Sequence, residues 1–153
     1  MSICRITAFL FLLLSSVGAP ASDRLSGPVD AYVIGIVDGD TLRVRALVWL
    51  DQTVAVSVRL RGIDTPERNA PCALERDLAE KARARLEKLV FAGPSGGMVR
   101  LRQISRDKYG GRVVAYVDNS AGVSVGDVLL TEEIAQPYRG RHTKPVWCKT
   151  ARP

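Results

Sequence analysis

The sequence has little of what builds zinc or thiol redox centres. It contains one histidine and three cysteines in 153 residues, with no CxxC spacing. Structural and catalytic zinc sites depend on histidine and cysteine ligands, so a zinc centre is disfavoured. Long apolar runs are also scarce. The apolar run at residues 6–14 is about half of the roughly 20 residues that a membrane-spanning helix needs.

The first 21 residues are typical of a secretory signal peptide. Arg5 supplies a basic start, residues 6–14 an apolar centre, and "APA" at 19–21 an A-x-A cleavage signal. We expect cleavage after Ala21 and therefore a secreted or periplasmic protein, with an uncleaved anchor as the weaker alternative. The mature chain, residues 22–153, is expected to be a single domain, a monomer, and without a membrane span.

The mature chain is basic. Loss of residues 1–21 removes one of 22 basic residues and none of 16 acidic ones, which leaves a net charge of +5. A basic surface favours polyanions such as nucleic acid, anionic membranes or cell-wall polymers, and charge alone does not choose among them.

Two cysteines remain after the leader, Cys72 and Cys148. Secreted proteins with an even cysteine count usually pair them, so we expect a disulfide. It would tie the start of a helix to the end of the chain. The bridge would close a loop of about 77 residues and contribute about 4 kcal/mol in the chain-entropy model.

Hydrophobic alternation predicts five strands. The segments that are β-rich or alternate apolar and polar residues are 31–37, 41–50, 53–63, 98–104 and 112–118. The second and third are joined at Asp51–Gln52 as an antiparallel pair, and the first three form a meander.

Two helices are predicted beside the strands. Between Pro71 and Ala92, apolar residues recur every three or four positions among Arg, Glu and Lys, which indicates an amphipathic helix. Residues 123–136 read as a short strand running into a C-terminal helix. Most strand joints are too short for parallel crossovers, which favours a small closed β-barrel, a class that includes the oligonucleotide-binding (OB) barrels.

Two acidic turns follow strands. Asp38 and Asp40 flank Gly39, which alone is a common hairpin signal, and Asp64 opens a second acidic turn that ends at Glu67. In a small barrel the two turns can be neighbours. Asp40 and Asp64 could then share a hard cation such as Ca²⁺, with carbonyl and water oxygens completing about six to eight ligands. The alternative is that both turns are structural.

An arginine and a glutamate accompany these acids. Arg59 precedes Asp64 by five residues, and its guanidinium fork matches two phosphate oxygens; alternatively it neutralises a nearby Asp. Glu67 follows Pro66, so its carboxylate can be held apart from the metal acids and act on a water; alternatively it stabilises the dipole of the following helix. A base, a cation and arginines would serve displacement at phosphorus.

Three sequence blocks resemble the staphylococcal-nuclease-like (thermonuclease) family. They are "VDGDTLRV", "VRLRGIDTPE" and "RDKYGGRVVAY", in this order, with a helix between the second and third. The resemblance spans about residues 31–140. It implies a five-stranded OB barrel with a helix after the third strand, which hydrolyses DNA and RNA in a Ca²⁺-dependent reaction that leaves 3′-phosphates.

The resemblance also implies roles for the residues of the acid turns. Asp40 and Asp64 match the carboxylate metal ligands, and Thr65 matches a ligand through its backbone carbonyl. Glu67 matches the proposed general base. Arg59 matches the first phosphate-binding arginine.

The third block carries a departure from the family pattern. The prototype has an arginine directly after "DKYG", whereas Gly111 moves Arg112, the candidate second arginine, one residue along. Such a shift would reverse the face within a strand, but a loop can absorb it. Lys108 and Tyr109 match positions that contact a substrate phosphate. Tyr138 falls near family tyrosines beside the nucleotide, where it could stack a base or be an ordinary exposed tyrosine.

Two rival functions follow from the same residues. Some domains of this family have lost their acids and would serve as non-catalytic nucleic-acid-binding barrels, although Asp40, Asp64 and Glu67 are all present here. The other rival is a secreted basic protein that binds surface polyanions, with purely structural acid turns.

Overall fold

The computed structural model describes residues 23–138, 140, 147 and 148. The predicted signal peptide lies outside the described residues. Eight strands and two helices occur within them, and none of these helices is long and apolar enough to cross a membrane. In chain order they are β1 (Arg24–Leu25), β2 (Val29–Ile36), β3 (Thr41–Trp49), β4 (Gln52–Leu60), β5 (Ile63–Asp64), α1 (Ala73–Phe91), β6 (Met98–Arg106), β7 (Arg112–Asn119), α2 (Val125–Thr131) and β8 (Gln136–Pro137).

Five of the strands close into a barrel. The ring runs β6–β2–β3–β4–β7 and returns to β6, so the predicted five-stranded OB-type barrel with helices is confirmed. β2, β3 and β4 form the predicted meander. β4 and β7 are parallel, which the short joints did not predict. The chain between them includes α1 and β6, and that path is long enough for a parallel crossover.

The inner faces of the barrel and one side of each helix form a single apolar core. Burial of each large side chain contributes about 1.5–3 kcal/mol relative to exposure. The largest fully buried side chains are Leu42, Val44, Val58, Leu60, Ile63, Leu86, Val90, Val99, Leu101, Val117, Val125 and Leu129.

The amphipathic helix is confirmed, with one correction to its apolar face. The buried residues of α1 are Ala79, Ala82, Leu86, Leu89 and Val90. Leu74 belongs to this repeat of apolar residues but is 58% exposed, so the buried face of α1 begins at Ala79.

Most strand ends differ from the sequence prediction by one or two residues, and larger differences occur at the end of β4 and around α2, which ends at Thr131. The predicted strand 53–63 stops at Leu60, and a turn separates it from β5. β5 pairs with β8, a contact that no sequence pattern indicated, and the Tyr138 N–H donates to the Gly62 carbonyl at 2.8 Å. The predicted strand before α2 is reduced to one bridge between Asp118 and Ser124.

Candidate active site

A pocket of about 410 Å³ opens at the end of the barrel where β3 begins and β4 ends. Asp40 and Thr65 are buried, at 3% and 5% exposure. The other seven predicted site residues line the pocket: Arg59, Asp64, Glu67, Lys108, Tyr109, Arg112 and Tyr138. The fold therefore gathers residues that lie up to 98 positions apart in the chain.

Two hydrogen bonds shape the first acid turn and join it to the end of β4. The Asp38 carboxylate accepts the Asp40 N–H at 3.1 Å, and the Asp40 carbonyl accepts the Leu60 N–H at 2.8 Å. The first bond is a typical Asx-turn contact. Asp40 is thereby held at the position where β4 delivers Arg59.

Gly39 allows the two acid turns to approach each other. A Cβ at this position would lie 2.7 Å from the Cβ of Ala82 on α1 and 2.8 Å from the Thr65 hydroxyl oxygen. Such distances are far inside van der Waals contact, so any side chain here would separate the turns or move α1. The sequence prediction that the two acid turns are neighbours is correct.

Arg59 bridges the two buried carboxylates. Its Nη1 lies 2.6 Å from Asp40 Oδ2 and its Nη2 lies 2.8 Å from Asp64 Oδ1. The side chains of Asp40 and Asp64 are 4% and 9% exposed. The pairing that the sequence left open as an alternative for Arg59 is therefore present, and two carboxylates converge on one positive group.

Burial raises the pKa of the Asp40 carboxyl to about 7, although the Arg59 guanidinium offsets part of that rise and Asp38 adds to it. Desolvation penalises the charged form of a buried acid, and a nearby cation restores it.

These acids fit a divalent cation. Two buried carboxylates offer hard oxygen donors and negative charge, which Ca²⁺ prefers. Each carboxylate has about four lone-pair sites, so the contact with Arg59 leaves acceptor capacity on both groups. Thr65, adjacent to Asp64 in the chain, is also buried.

Glu67 has a different environment from the two buried acids. It follows the buried Pro66, is itself exposed and lines the pocket. Its backbone N–H donates to Glu75 Oε1 at 3.1 Å. Glu75, not Glu67, is the acid in the first turn of α1, so the helix-dipole alternative applies to Glu75.

A disulfide joins Cys72 to Cys148, as predicted. Cys72 caps α1, with its sulfur 3.4 Å from the Glu75 backbone N, and the Cys148 sulfur lies 3.4 Å from Glu75 Oε2. Glu75 thus touches both the bridge and the Glu67 turn. Since the sulfurs are bonded to each other, this cluster of two cysteines and a glutamate does not offer thiolate ligands.

The extra glycine is absorbed by the loop before β7. Gly111 has φ +75°, a conformation that glycine adopts at little cost, and β7 begins directly after it at Arg112. Arg112 is the register partner of Ser57 in the parallel β4–β7 pair. Because Ser57 and Arg59 are two residues apart, both arginines lie on the same face of the barrel wall.

Aromatic rings lie beside the cationic groups of the pocket. Tyr109 is 57% exposed, with Lys108 Nζ at 4.8 Å and Arg112 Cζ at 5.0 Å from its ring centroid. On the other side, the Tyr138 ring lies 5.9 Å from Arg59 Cζ. All three distances are within the range of cation–π contacts.

Comparison with known families agrees with this geometry. Residues 57–148, more than half of the chain, match the family model described as staphylococcal nuclease homologue. The chain belongs to the staphylococcal nuclease homologue family. Members of this family are generally phosphodiesterase nucleases and typically depend on a metal. A search of curated proteins returned no match.

The family match covers one side of the pocket better than the other. It includes Arg59, Asp64, Glu67 and Arg112 but begins after Asp40. The first acid turn lies outside the matched residues. It contacts them through Gly39, which packs against Thr65 and Ala82, and through the ion pair of Asp40 with Arg59.

Sequence reasoning missed Asp107. Its carboxylate forms an ion pair with Arg112 Nε and accepts the Lys108 backbone N–H at 2.6 Å. The available signal was its place at the start of "DKYGGR", five residues before Arg112. That spacing predicts a contact only once the loop is known to close on itself.

Proposed function

We propose that this protein is a secreted, Ca²⁺-dependent phosphodiesterase that hydrolyses DNA and RNA and leaves 3′-phosphate ends. The observation that carries the proposal is the convergence of the buried Asp40 and Asp64 on Arg59. Arg59 and Asp64 line a pocket together with Glu67 and Arg112. Family membership supports the reaction class. The predicted leader supports export.

The acids and the arginines have different electrostatic roles, since the acids would bind the cation and the arginines the phosphate. Asp40, Asp64 and the Thr65 carbonyl would hold Ca²⁺, which when bound supplies positive charge to a phosphoryl oxygen. Arg59 and Arg112 bind the remaining phosphoryl oxygens, because a guanidinium matches two such oxygens and stabilises charge that grows in the transition state.

Glu67 carries out the proton transfer. Its carboxylate takes a proton from the attacking water as the water oxygen bonds to phosphorus. The bond from phosphorus to the 5′ oxygen breaks, and the 5′ oxygen leaves with the electron pair and takes up a proton from solvent water to become a hydroxyl. The 3′ side keeps the phosphate. An exposed carboxylate in the pocket suits this role, whereas the buried Asp40 and Asp64 suit a cation.

The pocket also favours a polynucleotide over a small phosphodiester. The basic chain attracts polyanions. Lys108 and Tyr109 line the pocket and would contact a neighbouring phosphate, and Tyr138 would offer a face for a base. Aromatic stacking tolerates every base, so this arrangement supports cleavage with little sequence preference.

The first experiment is hydrolysis of single-stranded DNA by the oxidised mature chain, with Ca²⁺ and then with excess chelator. We expect cleavage that appears with Ca²⁺, disappears on chelation and yields 3′-phosphate ends. If folded protein saturated with Ca²⁺ binds oligonucleotides without cleaving them, the protein is a non-catalytic binding barrel.

The variant Glu67→Gln tests the base. We expect turnover to fall about 10²–10⁴-fold, the typical contribution of general acid–base catalysis, while binding of an oligonucleotide in the presence of Ca²⁺ persists. Glu87→Gln, an exposed change on α1, is the matched control. Unchanged cleavage by Glu67→Gln would remove Glu67 from the mechanism.

A further inference from the structure

Asp107 and Arg112 form an ion pair across one short loop. Arg112 Nε donates to Asp107 Oδ2, and the Asp107 N–H donates to the Arg112 carbonyl at 3.1 Å, so backbone and side chains close the same loop. The other carboxylate oxygen, Oδ1, accepts the Lys108 N–H. The Asp107 side chain is 9% exposed and that of Arg112 is 25% exposed.

The contact is made through Nε, which matters for what Arg112 can still do. A guanidinium has five N–H groups, and four of them are on the two terminal nitrogens. The Tyr109 ring, 5.0 Å from Cζ, contacts the same group from a second direction. Arg112 is therefore held by its inner nitrogen and by one face, while the terminal fork that matches a phosphate is not used by Asp107.

Arg59 differs at this point. Its contacts with Asp40 and Asp64 use both terminal nitrogens. In the protein without substrate, Asp107 therefore leaves the terminal nitrogens of Arg112 to a ligand, whereas Asp40 and Asp64 use those of Arg59.

We propose that Asp107 is a positioning residue that holds Arg112 ready for the phosphoryl group of the substrate. This inference rests on the proposed phosphodiesterase function. Gly111 lengthens the loop and permits many backbone conformations, so Arg112 needs an anchor. Ordering a long side chain during the reaction costs conformational entropy, and an anchor present beforehand removes that cost from the barrier.

The test compares Asp107→Ala and Asp107→Asn with the wild-type full chain in steady-state hydrolysis of a short single-stranded DNA with Ca²⁺. We expect kcat to fall roughly 10–100-fold in the Ala variant, as small misplacement of a catalytic group does, with KM changed less than about threefold. The Asn variant, which keeps an acceptor oxygen, should recover part of the loss.

The matched control is Asp118→Ala. Asp118 also pairs with an arginine, Arg102, through bonds of 2.5 and 2.8 Å, but neither residue lines the pocket. We expect its kcat to stay within about twofold of wild type, because loss of a partly exposed ion pair away from the reacting group changes little.

A double-mutant cycle separates positioning from a general structural effect. In an Arg112→Ala background, Asp107→Ala should lower kcat little further, because its partner is already gone. Equal losses in both backgrounds would overturn the proposal. An unchanged kcat in the Asp107 variants would also overturn the proposal. A kcat higher than wild type would overturn it as well, because Asp107 would then compete with the substrate for Arg112.

A spectroscopic readout keeps the inference separate from the proposed function. The Arg112 Nε–H resonance, assigned by its loss in Arg112→Lys, should shift and exchange faster with solvent in Asp107→Ala, while Asp118→Ala leaves it in place. A wild-type protein that does not cleave DNA would overturn the function and, with it, the catalytic meaning of the anchor. An unmoved Nε–H signal in an active enzyme would overturn the anchor alone.

Discussion

The two sides of the pocket hold their arginines differently. On the acid-turn side, Arg59 uses both terminal nitrogens on Asp40 and Asp64, the same groups that would bind Ca²⁺. On the side of the loop before β7, Arg112 uses Nε on Asp107, an acid outside that ligand set. Cation binding must therefore change the surroundings of Arg59, whereas those of Arg112 can stay as they are. The two arginines therefore differ in which guanidinium nitrogens their acid partners contact.

Among the changes that compare the two sides of the pocket, the largest expected effect is on the side of Arg112. Arg112→Ala should lower kcat about 10²–10³-fold, the usual loss when one preorganised donor to developing charge is removed. Steady-state hydrolysis of single-stranded DNA measures it. Arg102→Ala, on the same barrel wall but outside the pocket, is the control. A loss below threefold would mean that Gly111 has displaced Arg112 from any catalytic position.

The next effect is on the acid-turn side, at Gly39. Gly39→Ala places a methyl group against Ala82 and Thr65, and we expect it to lower the free energy of unfolding by about 1–3 kcal/mol, as overpacking does. It should also reduce the rise in Tm caused by Ca²⁺, because the acids are pushed apart. Denaturant unfolding with and without Ca²⁺ measures both effects. Gly35→Ala, whose Cβ would meet its nearest neighbour at 3.8 Å, should change neither by much.

Acidic pH should weaken Ca²⁺ binding on the same side. Burial raises the pKa of Asp40 to about 7, so below that pH a proton competes with the cation for this carboxylate. We expect Ca²⁺ affinity to fall by up to about tenfold per pH unit below 7 and to level off above it. Calorimetric Ca²⁺ titrations from pH 5.5 to 8.5 measure this dependence. A flat profile across that range would show that Asp40 does not bind the ion as a carboxylate.

The smallest effect contrasts the two arginines directly. Removal of the competing guanidinium in Arg59→Ala should increase the Ca²⁺-induced rise in Tm by roughly 2–4 °C, equivalent to about 1 kcal/mol. In Arg112→Ala the rise should equal that of wild type. Thermal unfolding with and without saturating Ca²⁺ measures both. Equal increments in the two variants would contradict the difference between the two sides of the pocket.

Much of the fold could be predicted from local patterns. Period-two alternation identified the barrel strands, and the period of three to four identified α1, because burial of one face imposes these repeats. The parallel β4–β7 pair and the β5–β8 pair could not be predicted. Strand pairing depends on which edges meet after the chain has folded back, and a two-residue strand that contains Pro137 has no periodic signal.

In the candidate site, too, some residues could be predicted from short sequence motifs and others could not. The acids, Arg59 and Glu67 stand in short motifs whose turn residues mark them in the sequence. The partner of Arg112 does not, because Asp107 becomes its partner only when the loop closes and Gly111 takes its left-handed conformation.

By itself, the sequence determined the barrel strands, the amphipathic helix, the basic charge and the residue types available for phosphate chemistry, since each depends on composition or local periodicity. The tertiary structure alone decided which carboxylate faces which arginine. Those pairings arise where Gly39 allows two turns to touch and where β4 and β7 lie side by side, and such contacts join residues far apart in the chain.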